Sequence, residues 1–202
     1  MSADFPNQVL KVPHTSLSGK TLKKPVKKFF KNILFKYYPK ASHSFVRREI
    51  KESEKCLKLE KIIKKKPPIS IYLGKLETTV GVAYIYTKAC NESGEVGLNF
   101  SEAREKLGDL ICLKLLNELV KEIFDWKIIC HEFTLLNIVL EETEESKRFI
   151  LVDGFGDPYP IPLYSLSSSL NRYLMKKKIK NNSRRFPYIW NDKTNLFEQK
   201  TI

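Results

Sequence analysis

Two carboxylates and an amide lie in one stretch of this sequence at separations that suit cation and phosphate chemistry. Glu132 and Asn137 share the segment HEFTLLNIVL, and Asp153 closes the apolar run FILV just before Gly154-Phe155-Gly156. A hard cation such as magnesium takes oxygen ligands, so the Asn137 carbonyl and the Asp153 carboxylate, at adjacent ends of a hairpin, suit one such ion. A separate carboxylate, Glu132, is then placed to accept the proton of an attacking hydroxyl. The glycines after Asp153 let the main chain turn sharply beside the cation. Taken singly, each residue has a simpler reading. An Asp after an apolar strand caps a turn, Asn137 is a turn residue, and His131 is a satisfied structural side chain. Their conjunction in this order, with a hairpin between, points to phosphoryl transfer.

The elements that must position these residues follow from pattern and punctuation. Ile138-Val139-Leu140 and Phe149-Ile150-Leu151-Val152 read as the arms of a hairpin over 137–153, with the charged tip EETEESKR exposed. A helix capped by Ser101 carries Glu102 and Glu105 in its first turns. From Asp109 to Phe124, Leu113, Leu116, Val120 and Ile123 recur at helical spacing. A short strand is expected over 127–130 and a serine-rich helix over about 165–178. Upstream, residues 1–28 read as loop or frayed edge with a turn at Ser18-Gly19. Phe29–Tyr38 reads as a strand ended by Pro39. A helix is expected from Ser44 to Lys65, capped by Ser42 or Ser44, with Val46, Ile50, Leu57 and Ile63 on one face. Pro67-Pro68 stops it. Strands are expected at Ile69–Leu73 and Thr79–Thr87, and ACNESGEVG (89–97) reads as a linker. The sum is an α+β chain of two lobes, 1–88 and 89–202, hinged near 86–100.

Composition narrows the partners. The 202 residues are 42% hydrophobic and 11% aromatic, which suits a folded unit rather than a disordered one, and the formal charge is +13. Nine of the lysines fall in residues 1–40 against the single acid Asp4, and a second basic run spans Lys176-Lys177-Lys178, Lys180, Arg184 and Arg185. Such fields attract phosphates, nucleic acid or an anionic membrane face, although solvated lysines also serve plain solubility. Cys56, Cys90, Cys112 and Cys130 show no zinc spacing and read as reduced, mostly buried thiols. No signal-peptide pattern or membrane-span run is visible, so the expected location is cytoplasmic, with contact to the inner membrane face as an extension of that reading.

The cluster at 130–156 resembles the catalytic loop and metal-binding DFG turn of the protein-kinase-like superfamily. Within it, the chain resembles the small bacterial family called PhoP regulatory network protein YrbL. That likeness rests on Arg47-Arg48-Glu49-Ile50, the strand pair at 69–87, LLNIVL (135–140), and Asp153-Gly154-Phe155-Gly156 followed by Ile161-Pro162-Leu163, over roughly residues 30–187. The resemblance implies a kinase-like bilobal fold, with a reduced N-lobe sheet plus one helix and a mainly helical C-lobe carrying the catalytic hairpin. It implies ATP and Mg2+ as cofactors. Glu132 would be the proton acceptor, Asn137 and Asp153 the metal ligands, and Glu49 the ion-pair partner of a phosphate-binding lysine. Lys36 is the choice for that lysine, with Lys31 as competitor, and Gly19 is the one glycine placed to cover phosphates. The chain departs from the kinase pattern in reading Cys130-His131-Glu132 where kinases have H-R-D, and in lacking a glycine-rich loop.

Three functions follow as expectations. The first is an ATP-dependent phosphotransferase acting on a hydroxyl of an anionic small molecule, a cell-envelope sugar or a glycolipid. The second is a pseudokinase-like regulatory protein that binds nucleotide without transfer. The third, ranked last, is a basic nucleic-acid-binding module. It is warranted by the lysines and aromatics of LKKPVKKFFKNILFKYY but unsupported by any recognised nucleic-acid motif.

Overall fold

The computed structural model describes residues 7–12, 44–79, 81–157 and 167–200. The expected strand at 29–38, with Lys31 and Lys36, lies outside the described residues, as do Gly19, Ser42 and Ile161-Pro162-Leu163. The described part is mixed α+β, with four α-helices and three small antiparallel sheets. No helix among the described residues is long and apolar enough to cross a membrane.

The first sheet joins three strands in the order β1-β3-β2: β1 (Gln8–Lys11), β2 (Tyr72–Thr78) and β3 (Gly81–Thr87). A four-residue strand thus sits inside the segment expected to be loop or frayed edge. The strand expected at 69–73 begins at Tyr72 instead. Ile69 makes only an isolated parallel bridge to Leu151, and Ser70 donates its N–H to Leu151 O at 2.8 Å. Those contacts tie the first sheet to the hairpin formed by β4 (Ile138–Glu142) and β5 (Lys147–Leu151), which pairs in register from Ile138↔Leu151 to Glu142↔Lys147.

Helix α1 (Ser44–Ile63) precedes β2. It ends where Lys64 takes a left-handed φ of 56° ahead of Pro67-Pro68. Its buried stripe is not the expected one. Val46, Glu49, Glu52, Ser53 and Cys56 face inward, whereas Leu57 and Ile63 are exposed. Two acids therefore replace apolar residues on the packing face, and buried acids need partners.

Helix α2 (Phe100–Leu107) and helix α3 (Asp109–Asp125) are separated at Gly108. The cap of α2 is Asn99 rather than Ser101. Its side-chain oxygen accepts from the N–H groups of Ser101 and Glu102, and the Glu102 carboxylate accepts from the Asn99 N–H at 2.9 Å. This reciprocal pairing satisfies donors that a helix start otherwise leaves unpaired. Helix α3 buries Cys112, Leu115, Leu116, Leu119, Val120 and Ile123.

Helix α4 (Ser168–Asn182) runs four residues past its expected end. A last hairpin, β6 (Ile189–Asn191) with β7 (Leu196–Glu198), was not expected at all. Asn117 of α3 fastens it by two bonds to the Phe197 main chain, 2.9 Å to its O and 2.7 Å from its N. Phe133, Phe186 and Phe197 stack in succession beneath it, with centroids 5.5 and 5.0 Å apart. The apolar core is thus closed by residues near the C-terminal end, directly behind the loop that carries Glu132.

Replacing the cap tests how far the α2–α3 unit depends on it. Asn99→Ala is expected to cost about 1 kcal/mol of unfolding free energy, read as a lower urea midpoint at unchanged m-value. Asn99→Asp should keep most of the wild-type midpoint.

Candidate functional site

The site begins with a lysine that strand alternation turns inward. In β1 the side chains alternate, so Val9 and Lys11 share one face while Leu10 points out and is half exposed. Val9 pairs with Tyr86 of β3, which puts Lys11 on the same face, one diagonal step from that ring. The Lys11 ammonium lies 4.5 Å from the Tyr86 ring centre and 5.8 Å from that of Phe155. Both rings shield it and attract it through their π faces.

Three oxygens receive that ammonium. Lys11 Nζ is 3.1 Å from Glu49 Oε2, 2.8 Å from the carbonyl of Val152 and 3.8 Å from Asp153 Oδ1. Glu49 is almost wholly buried, whereas the Asp153 side chain is 58% exposed and opens to solvent. Burial pushes the Glu49 pKa up from 4.5 to about 7, and a hydrogen bond to Asp153 adds to the rise while Lys11 opposes it. Asp153 moves the other way. Partial desolvation would raise the value, but Glu49, Lys11 and the Gly154 N–H together hold the carboxyl below its usual range. One acid thus tends to keep a proton and its neighbour to keep a charge. The Tyr86 hydroxyl is buried beside this cluster, and burial, with the neighbouring Glu49, raises its pKa far above the usual value.

Across from the lysine, two loops are stitched together through main-chain bonds. Gly154 O accepts from both His131 N (2.8 Å) and Glu132 N (3.0 Å), and Gly156 N donates to Ile129 O at 2.7 Å. Cys130 and Phe155, both fully buried, form an isolated bridge between these bonds. The expected strand at 127–130 is therefore a single strip pairing with the 153–156 turn rather than a member of a sheet.

Glycine is required at two points of this seam. Gly154 has φ 79°, and a β-carbon there would lie 2.7 Å from Glu132 O and 2.8 Å from Asn137 Nδ2. Gly156 has φ 93°, and its β-carbon would meet the Arg48 carbonyl of α1 at 2.6 Å. Neither the left-handed backbone nor the space admits a side chain without movement.

Asn137 closes a single 3-10 turn and then enters β4. Its amide Nδ2 donates to Glu132 O at 3.1 Å, and its main-chain O accepts from Val152 N at 2.9 Å. The side chain therefore lies against both the Glu132 loop and the Asp153-Gly154 turn, with its Oδ1 not used in that bond. Glu132 has its main chain fixed while its carboxylate is exposed, with no hydrogen bond or ion pair among the described residues. His131 turns away from solvent, its Nδ1 3.2 Å from Gly156 O, and burial lowers its pKa.

Lys11, Glu49, Asp153, Asn137 and the Glu132 main chain are thus brought into one neighbourhood through successive contacts. Lys36 and Gly19 lie outside the described residues, and among the described residues it is the Lys11 ammonium that meets Glu49. The signal that could have found Lys11 was the alternation in QVLKVP, where an inward lysine follows an inward valine. The donor chemistry fits a hard divalent cation shared with a phosphate ligand: one ionised carboxylate at Asp153 and one amide oxygen at Asn137. Among the described residues, no group of three or more His, Cys, Asp and Glu side chains could hold a metal ion. A cation here would therefore draw its remaining oxygens from its ligand and from water.

Two outcomes test the geometry. Gly154→Ala should cost roughly 1–3 kcal/mol of stability or more, because it forces a non-glycine residue into a left-handed, crowded position; a urea midpoint equal to wild type would show that the seam is looser than drawn. The second concerns pH. In ligand-free protein, native Glu49 holds its proton up to about pH 7 while an unfolded chain loses it near 4.5. The native state then binds more protons in that window, so stability falls as pH rises through it and levels off above. Glu49→Gln should remove that slope, by at most about 3 kcal/mol across the window, in urea titrations at several pH values.

Comparison with known proteins adds the family. None of the curated proteins compared matches the chain. The family model described as PhoP regulatory network protein YrbL matches residues 6–186, a span that takes in β1 with Lys11, the whole of α1, and both loops of the seam. The chain belongs to the PhoP regulatory network protein YrbL family.

Proposed function

We propose that this protein is an ATP- and magnesium-dependent phosphotransferase of kinase-like organisation, acting on a hydroxyl acceptor. The observation that carries the reading is the contact of one lysine with two acids. Lys11 on a strand meets Glu49 on a helix at 3.1 Å and reaches to 3.8 Å from Asp153, which follows the apolar strand β5. Kinase-like sites use a strand lysine oriented by a helix glutamate, together with an aspartate for the metal.

Magnesium–ATP, when bound, supplies the phosphoryl group and neutralises its charge. The chain's own residues do the rest. Lys11 holds phosphate oxygens and Glu49 orients it. Asp153 and Asn137 hold the cation. The Glu132 carboxylate, exposed on a fixed main chain, takes the proton of the acceptor hydroxyl. The net charge of +13 favours an anionic acceptor such as a phosphorylated sugar or glycolipid headgroup. Kinase-like lobes, with the boundary near 88, belong to the same proposal.

A second reading, nucleotide binding without transfer, is favoured by the Glu132 carboxylate itself. It has no partner among the described residues to aim it, and positioning within about an ångström matters to a general base.

Calorimetry and ATP turnover with and without magnesium separate these readings. Under the first, wild type binds and turns over ATP only with magnesium. Lys11→Met weakens nucleotide binding at least tenfold, and Asp153→Asn abolishes turnover. Binding without transfer across hydroxyl acceptors selects the second reading. Undiminished turnover in Asp153→Asn, or no ATP binding by wild type at millimolar concentration, removes the proposal.

A further inference from the structure

Residues 127–132 carry the candidate base, yet they belong to no sheet. Their main-chain donors and acceptors still need partners, because unpaired buried groups are costly. The 153–156 turn satisfies Ile129 O, His131 N and Glu132 N, and Ile123 O accepts from Ile128 N. Lys127 N donates to Phe124 O at 3.2 Å, Glu132 O accepts from Asn137 Nδ2 at 3.1 Å, and side chains from two helices supply further partners. From α1, the Glu52 carboxylate accepts from Ile129 N at 3.0 Å, and Lys55, ion-paired with Glu52, donates to Lys127 O at 2.8 Å. From α4, Asn171 Nδ2 donates to Lys127 O at 3.1 Å, Met175 Sδ accepts from Cys130 N at 3.2 Å, and Lys178 Nζ donates to His131 O at 2.6 Å.

Glu52 is the informative member. It is only 4% exposed, on a helix face where an apolar residue would ordinarily pack, and it is one turn from Glu49. Burying a carboxylate is expensive unless it is fully bonded. Here it joins α1 to the residue whose carbonyl is bonded to Gly156, and Gly156 in turn packs on the Arg48 carbonyl of α1. The contacts form a closed ring through α1, the loop and the turn. Lys178 makes the corresponding tie from α4, at the carbonyl immediately before Glu132.

We infer that Glu52 and Lys178 are positioning residues, which hold the 127–132 loop from two helices and so fix where Glu132 and the 153–156 turn stand relative to Lys11 and Glu49. The functional half of this inference rests on the proposed phosphotransfer reading; the structural half does not. The contacts made by Glu52 couple the helix that orients the lysine to the loop that carries the base, so the two halves of the site move together.

Amide hydrogen exchange on the full chain, paired with calorimetry using magnesium–ATP, tests both halves. Glu52→Leu removes the acceptor at similar size, and Glu52→Gln keeps an oxygen for Ile129 N–H. Glu52→Leu is expected to speed exchange at least tenfold in peptides covering 128–132 and 153–156, while the β6–β7 hairpin keeps its protection. Glu52→Gln should restore most of it. Lys178→Met should loosen 130–132 in the same way, with Lys178→Arg as its conservative partner, and it decides the matter if Glu52→Leu does not fold. Faster exchange spread evenly over the chain, or none at the loop, overturns the inference. Weakened magnesium–ATP binding in Glu52→Leu supports the functional half. If wild type binds no ATP, the proposed function fails while the exchange result still decides the clamp.

Discussion

A primary ammonium placed between two carboxylates on different elements organises much of this molecule. Lys11 leaves a four-residue edge strand, yet it reaches a helix through Glu49 and the end of the β4–β5 hairpin through Val152 O and Asp153. Two acids against one lysine leave a surplus of negative charge in a partly desolvated place. The protein meets that surplus by splitting the behaviour of the acids, one buried and inclined to keep its proton, the other open to solvent and ionised. The exposed acid is the one a ligand could reach. Desolvation, more than sequence position, assigns the two carboxylates different duties.

Around that centre the fold uses main-chain contact more than side-chain contact. The seam between 129–132 and 153–156 consists of amide–carbonyl bonds and of two glycines too crowded for any β-carbon. Behind it, the phenylalanine stack running from Phe133 to Phe197 supplies an apolar backing, and Asn117 fixes the last hairpin onto α3. A polar seam thus rests against a rigid aromatic wall. Local polar geometry is well defined when the surrounding core leaves it little room to shift.

Much of this was legible in the residues, and the gaps have physical reasons. The hairpin at 138–151 and helix α3 were readable because their apolar residues repeat at strand and helix spacing. Glu49, Asn137 and Asp153 stood out because short motifs surround them. Lys11 did not, since the first forty residues offer nine lysines and a four-residue strand carries almost no periodic signal. The face of α1 was misjudged for a related reason. A stripe that buries Glu49 and Glu52 looks polar in sequence, so Leu57 and Ile63 seemed the better core residues, although the structure exposes both. The apolar 127–130 run suggests a strand, but its partners are the 153–156 turn, the end of α3 and side chains far away in the sequence, which periodicity cannot reveal. The final hairpin had a signal of its own, aromatic residues on either side of Asn191-Asp192-Lys193-Thr194-Asn195.

The manner in which the Glu132 loop is held bears on how such a chain changes over time. Its path is dictated by backbone bonds and by residues on distant helices, whereas the Glu132 carboxylate makes no hydrogen bond or ion pair among the described residues. Shape and reactivity are thereby separated. Under the proposed phosphotransfer reading, a single codon change at that position would silence or restore chemistry with the loop's main-chain bonds intact, so that a catalyst and a mere receptor would be only one mutation apart.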